Sequence, residues 1–149
     1  RYMAKGLDCK WIILDHLSIV VSDQEIADER KAIDSIMTKL RQLVQETGVG
    51  LFLVSHLRRP NGKAHEDGGQ ISLAELRGSA AIAQLSDMVI GLERDQQNSD
   101  PTVRNTTTVR VLKNRFAGLT GPACYLYYDK DTGRMIETSC PVADEKQEF

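Results

Sequence analysis

"KWIILDHLSIVV", Lys10–Val21, reads as a short apolar strand that runs into a charge. A continuous run of Trp, Ile and Leu suits a strand covered on both faces of a parallel sheet. Asp15 and His16 interrupt that run. A carboxylate taken out of water costs several kcal/mol unless it is paired or bound to a cation. An aspartate closing an apolar strand is also how phosphate-processing α/β enzymes hold a magnesium ion or its water, since a hard cation that keeps several waters needs few protein oxygens. Taken alone, the pattern fits an aspartate that merely caps the next turn as well.

Outward from this stretch, "SDQEIADERKAIDSIMTKLRQLVQETG" places Ile33, Ile36, Met37, Leu40, Leu43 and Val44 at helical spacing, and Gly48 is a natural stop. "VGLFLVSH" is a second short apolar run, and the Gly- and Pro-containing basic segment from Leu57 to Gln70 reads as a loop. "SLAE", Ser72–Glu75, reads as a capping box opening a helix to about Leu85. "DMVIGLER" reads as a third buried strand, and residues Asp95 to Asn105 as a polar connection. "TTTVRVLKNR" alternates like a strand, and "CYLYYDKDTGRMIE" reads as a hairpin turning near Asp131–Gly133. Strand, helix, strand, helix, strand, then antiparallel strands implies an α/β fold with a largely parallel sheet. Ligands gather beyond the carboxyl ends of such strands, where Asp15, His56 and Arg94 fall.

The balance of 41% hydrophobic and 27% charged residues is that of a soluble globular domain. No apolar run approaches the ~20 residues of a membrane span. Three cysteines, Cys9, Cys124 and Cys140, lack ligand spacing and suggest a reducing, cytoplasmic setting. A formal charge of −2 excludes a generally basic coat for nucleic acid, but not a local basic strip. Arg1 in place of Met, so close to the first strand, suggests a fragment.

Nothing in the 149 residues matches GxxxxGK(S/T), the loop that cradles phosphates with backbone N–H groups. Either the chain handles no nucleotide, or that loop lies upstream. The runs "WIILDHLSIVV", "DERKAID", "VSHLRRPNGKAHEDGG", "LRGSAAIAQLSDMVIGLERDQQ" and "VLKNRFAGLTG" decide the matter, because together and in order they closely resemble the helicase domain of T-seven-like phage primase–helicases. "LRGSAAIAQLSD" and the Lys-x-Arg of "KNR" are similar, more distantly, to bacterial DnaB-type helicases and the RecA-like core.

The resemblance implies a RecA-like P-loop NTPase core, here without the P-loop and the upstream catalytic glutamate. Its motor portion would cover residues 1–137, with an acidic tail over 138–149. Asp15 matches the magnesium-associated aspartate, and His56 the histidine that senses the terminal phosphate. Arg115 matches the arginine finger supplied to a neighbouring subunit, with Lys113 assisting. Arg94 and Tyr128 match the residues that sandwich the base, although Tyr125 and Tyr127 are rivals for that role. His16 reads as satisfying local hydrogen bonds.

The same resemblance implies single-stranded DNA gripped by the loop "RRPNGKAHEDGG", through Arg58 and Lys63, with Arg59 a substitute and Arg77 a further candidate. Asn61-Gly62 and Gly68-Gly69 would give that loop flexibility. The loop is about one residue shorter than the family pattern, and Ala83 stands where an arginine is expected. The implied activity is 5′-to-3′ translocation and duplex unwinding by a hexameric ring, using Mg2+ with ATP or dTTP. The tail, ending in Phe149, resembles one that docks a replicative DNA polymerase. A DnaB-type or other RecA-like ATPase, and a non-catalytic remnant that oligomerises or docks on a replisome, are the alternatives.

Overall fold

The structure, a computed structural model, describes residues 1–20, 26–60, 62–76 and 80–141, without the side chains of 26–29. Arg77, Asn61 and the tail with Phe149 therefore lie outside the described residues. Two compact units are built from interleaved pieces of chain: residues 1–58 with 74–86, and residues 59–73 with 87–149.

In the first unit, β1 (Trp11–Leu14) pairs in parallel with β2 (Gly50–Leu53), Trp11 opposite Gly50 and Leu14 opposite Leu53. The short α1 (Leu17–Val20) and the long α2 (Ile26–Thr47) connect them. As the spacing predicts, Ile33, Ile36, Met37 and Leu40 share the apolar face of α2. Ile33 and Met37 join Leu17 and Ile82 of α3 (Ala80–Leu85) in a buried cluster. Each such side chain contributes about 1.5–3 kcal/mol by leaving water. Gly48 ends α2 in the left-handed region at φ +70°, and its N–H donates to the Val44 carbonyl at 2.8 Å. That conformation favours glycine.

Among the described residues β1 and β2 are covered on one face only, where cover on both is expected: Trp11, Ile13, Phe52 and Val54 are exposed, with the Trp11 and Phe52 rings 5.5 Å apart. Asp15 is exposed as well, so it carries no burial penalty. Nor does "SLAE" open one continuous helix. Leu73–Glu75 makes a single 3-10 turn, after which Leu76 bridges Leu57 and the Glu75 carbonyl accepts from the Arg58 N–H at 2.7 Å. These pairings take backbone groups that a continuing helix would use.

The second unit holds an antiparallel sheet in the order β3 (Met88–Glu93), β4 (Thr106–Asn114), β5 (Gly121–Asp129), β6 (Arg134–Thr138). β3 thus pairs antiparallel with β4, and the parallel ladder among the described residues has two strands. Along β3 the faces alternate, with Val89 and Gly91 buried and Met88, Ile90 and Leu92 exposed. The β5–β6 hairpin turns where the sequence says. Asp129 holds the turn by accepting from the Asp131 N–H and the Thr132 hydroxyl at 2.9 and 2.6 Å. The Thr132 hydroxyl, and then the Asp131 amide, lower the Asp129 pKa from its ordinary 3.8.

The polar connection 95–105 contains a helix that the sequence reading missed, α4 (Pro101–Asn105). Its signal was present: Asp100 caps the Thr102 N–H at 2.7 Å, and Pro101 needs no amide partner in the first turn.

Candidate functional site

Asp15 follows directly on β1, and His56 follows β2 by three residues. Both therefore sit at carboxyl ends of adjacent parallel strands, and both are exposed. Beyond the last paired residues, the Val54 N–H donates to the Leu14 carbonyl at 2.9 Å and the Leu17 N–H donates to the Val54 carbonyl at 3.0 Å. The two strand ends are thereby locked in register. The His16 carbonyl accepts from the Ile19 N–H at 3.1 Å, but its side-chain Nδ1 is buried without a hydrogen-bond partner among the described residues. Its ring meets the His56 ring instead, with centroids 4.1 Å apart.

A magnesium ion fits this donor set in a limited way. Among the described residues no group of three or more His, Cys, Asp or Glu could cage a metal. The open carboxylate of Asp15 can still serve an ion that takes its other oxygens from water and substrate phosphates.

In the second unit, Arg94 immediately follows β3 and is anchored in the plane of its guanidinium. Its Nε donates to the Arg104 carbonyl at 2.7 Å, and its Nη2 to Asn105 Oδ1 at 3.3 Å. Asn105 is 4% exposed, a buried amide whose visible task is this contact. In-plane anchors leave the flat faces of an arginine for stacking. Tyr128 is half-buried on β5, next to Tyr127, which pairs in register with Thr106 of β4. Strand alternation puts Tyr125 and Tyr127 on the face opposite Tyr128, which separates the rivals. Register also brings Arg94 and Tyr128 to the same end of the sheet, because Glu93 pairs with Thr108 and Thr106 with Tyr127.

Arg115 lies at the other end, just past Asn114, which pairs with Met88. Its Nη1 contacts Asp87 Oδ1 at 2.9 Å, and its N–H donates to the Asp87 carbonyl at 2.9 Å. Both side chains are substantially exposed, so the pair is worth about 0–1 kcal/mol and can be exchanged for another anion. Sequence spacing gave no hint of Asp87, 28 residues away. Lys113 is half-buried within β4, opposite Val89 next to a bulge.

Arg58, Arg59 and Lys63 are exposed. At Gly68-Gly69 the loop that follows them is closely packed, where the sequence reading expects flexibility. Asp67 and Gly69 donate their N–H groups to the Ala64 carbonyl at 3.0 Å each, and Gln96 donates to the Glu66 carbonyl at 2.8 Å. A Cβ on Gly69 would overlap the Lys63 carbonyl, and Gly68 stands at φ +83° against Asp95. Gly68 and Gly69 serve close approach, whereas a Cβ on Gly62 would meet no described atom within 4 Å. Glu93 completes the anchoring: its Oε1 accepts from the Ile71 N–H at 2.9 Å and from Arg110 Nε at 2.8 Å.

Residues 1–137 match the model of the DnaB-like helicase C terminal domain. The chain belongs to that family. A DNA helicase/primase of Enterobacteria phage T3 is 53% identical over 139 residues, covering 93% of this chain and 24% of the phage protein. The replicative DNA helicase DnaB of Treponema pallidum (strain Nichols) is 30% identical over 89 residues, covering 60% of this chain and 19% of that protein. A solved structure of an ATPase domain superposes with a TM-score of 0.63 at 20% identity, over 87% of this chain and 44% of that one. This last likeness establishes a shared RecA-like α/β fold. The chain spans about a quarter of the length of the phage relative.

Within a DnaB-like domain the residues fall into two groups. Asp15 and His56, with His16, form one cluster at the strand ends of the first unit. Arg94 and Tyr128 gather at one end of the second unit's sheet, with Arg115 at the far end. Asn105, Glu93 and Asp87 are the residues that sequence reasoning missed. Asp87 and Asn105 both abut a strand, but nothing in their spacing names the arginine each one meets.

Proposed function

We propose that this chain is part of the motor of a ring-shaped replicative DNA helicase, one that couples nucleoside triphosphate hydrolysis to 5′-to-3′ movement on single-stranded DNA and duplex unwinding. The reading is carried by Asp15 and His56, exposed together at the carboxyl ends of adjacent parallel strands in a DnaB-like domain. Asp15 would serve magnesium, which supplies charge neutralisation at the phosphates when bound. His56 would contact the terminal phosphate, a task suited to imidazole because it can donate a hydrogen bond without a permanent charge. Arg94 and Tyr128 would bracket the base of ATP or dTTP by stacking, which gives affinity more than selectivity. Arg115, aided by Lys113, would act on the nucleotide of a neighbouring subunit in a hexameric ring.

The 53% identity to the phage helicase/primase favours the phage type over the bacterial one, and hence action in a bacterial cytoplasm. Among the described residues no helix is long and apolar enough to cross a membrane. In the full-length protein, Asp15→Asn should abolish Mg2+-dependent unwinding of a forked duplex while the ring still assembles. Unwinding at the normal rate would refute the reading.

Arg58, Arg59 and Lys63 are proposed to contact the DNA backbone, with Arg77 a further candidate. Neutralising Arg58 and Lys63 together should weaken single-strand binding for all sequences alike. Each lost phosphate contact should lower the log–log salt slope by roughly 0.7. An unchanged slope would move the contact elsewhere.

The acidic tail, 138–149, is proposed to dock a replicative DNA polymerase, with Phe149 as an aromatic anchor and Asp144, Glu145 and Glu148 steering. Removing Phe149 should spare unwinding but reduce coupled strand-displacement synthesis. Equal coupled synthesis with and without Phe149 would rule the anchor out.

A further inference from the structure

The imidazoles of His16 and His56 meet in a tilted face contact, with centroids 4.1 Å apart and planes 34° from parallel. The route of the chain brings them together. The Leu14 carbonyl accepts from Val54 and the Val54 carbonyl accepts from Leu17, so residues 15 and 16 arch over the end of β2. His56 rises two residues beyond Val54, beside that arch. Among the described residues no hydrogen bond orients the His56 imidazole, and its ring contact is with His16. An exposed imidazole without such a contact exchanges freely among its rotamers.

The hold on His16 is also a matter of ring faces. Its Nδ1 is buried and unpartnered among the described residues, so nothing fixes the ring by hydrogen bonding at that atom. A buried nitrogen left unsatisfied is unfavourable, and its persistence here calls for a compensating role of the ring. We propose that His16 is a positioning residue for His56, its imidazole stacking on the His56 ring and fixing the rotamer in which His56 meets the terminal phosphate. This rests on the reading of His56 as the phosphate sensor. An aromatic pair shifts a rotamer population by a factor of roughly 2 to 10. Because Asp15 and His16 are consecutive, one arch would set both the magnesium-associated carboxylate and the orientation of the sensor.

The test uses the full-length helicase with three readouts: KM for the nucleotide, kcat with single-stranded DNA, and the gain in DNA affinity produced by a non-hydrolysable triphosphate. His16→Ala should leave KM within twofold, while lowering kcat and the affinity gain by roughly 2- to 10-fold. His16→Phe should keep both within twofold of the unsubstituted protein, and should unfold at no lower temperature, since a phenyl ring stacks and removes the unsatisfied nitrogen. In a His56→Ala background, adding His16→Ala should change neither kcat nor the affinity gain. A merely structural His16 would instead add its own loss there, and that result overturns the proposal. A His16→Phe variant as impaired as His16→Ala also overturns it. An unaffected His16→Ala beside an uncoupled His56→Ala overturns the positioning role and leaves the sensor reading standing. Normal coupling in His56→Ala alone refutes the sensor reading, and the proposal with it.

Discussion

Arg115→Ala in the full-length helicase is expected to cut DNA-stimulated hydrolysis by roughly 10³- to 10⁵-fold, the range over which an arginine finger acts. Nucleotide binding should stay largely intact. The proposed action between subunits is supported by the length of β4. Arg94 and Tyr128 occupy one end of the four-stranded sheet and Arg115 the other, separated by the nine residues Thr106–Asn114. At about 3.3 Å per residue that is roughly 25–30 Å, longer than a nucleoside triphosphate. If Arg94 and Tyr128 hold a base, Arg115 of the same chain lies too far along the sheet for that nucleotide's phosphates, which leaves the proposed role to the arginine of a neighbouring subunit. Its present partner, Asp87, holds it only weakly.

Two further outcomes follow from the planar fork of arginine. Arg115→Lys should rescue little, because a compact ammonium does not reproduce two parallel donors on a transferring phosphoryl group. Rings mixed from Arg115→Ala and Asp15→Asn subunits should regain some hydrolysis, since a mixed boundary can bring an intact Asp15 to an intact Arg115. Mixed rings that demonstrably assemble yet remain inactive would refute action between subunits.

The elements were legible where local chemistry and tertiary packing agree. The face of α2, the stop at Gly48 and the turn at Gly133 each follow from spacing or backbone freedom within a few residues. The misreadings came from long-range competition. Leu76 pairs with Leu57, and this ends the turn that Ser72–Glu75 seemed to open. The glycines at 68 and 69 looked like flexibility, but they permit a tight turn against Lys63 and Asp95. A glycine in a sequence shows that backbone space matters; it does not show whether the space is used for motion or for contact.

The site divides in the same way. The strand-end placement of Asp15 and His56 was legible because both follow short apolar runs, and strand ends are where α/β proteins gather ligands. The stacking of His16 on His56 was not, because it depends on two strands of distant sequence being adjacent and in register. Asp87 and Asn105 were hidden for the same reason. Neither has a spacing relation to the arginine it holds, and only the β3–β4 pairing brings Arg94 and Asn105 together.

The 149-residue chain by itself is expected to release no phosphate from ATP, dTTP or any other triphosphate. Phosphoryl transfer depends on positioning and on charge stabilisation, with little covalent chemistry left for the protein. Orientation alone accounts for about 7–11 kcal/mol of such barriers. No segment of the chain matches the loop whose backbone N–H groups and lysine would hold the β- and γ-phosphates. On the proposed reading Asp15 and His56 would meet a phosphate and its ion, without fixing the nucleotide in line for attack. The open apolar faces of Trp11, Ile13, Phe52 and Val54, and of Met88, Ile90 and Leu92, point the same way, since patches of this kind are normally covered. The check is Mg2+-dependent phosphate release measured on the purified chain beside its Asp15→Asn variant. Hydrolysis that survives Asp15→Asn would mark a contaminating enzyme. Hydrolysis that Asp15→Asn abolishes would mean that this chain positions phosphates without the loop, and the assignment of catalytic parts between it and the rest of the motor would have to be redrawn.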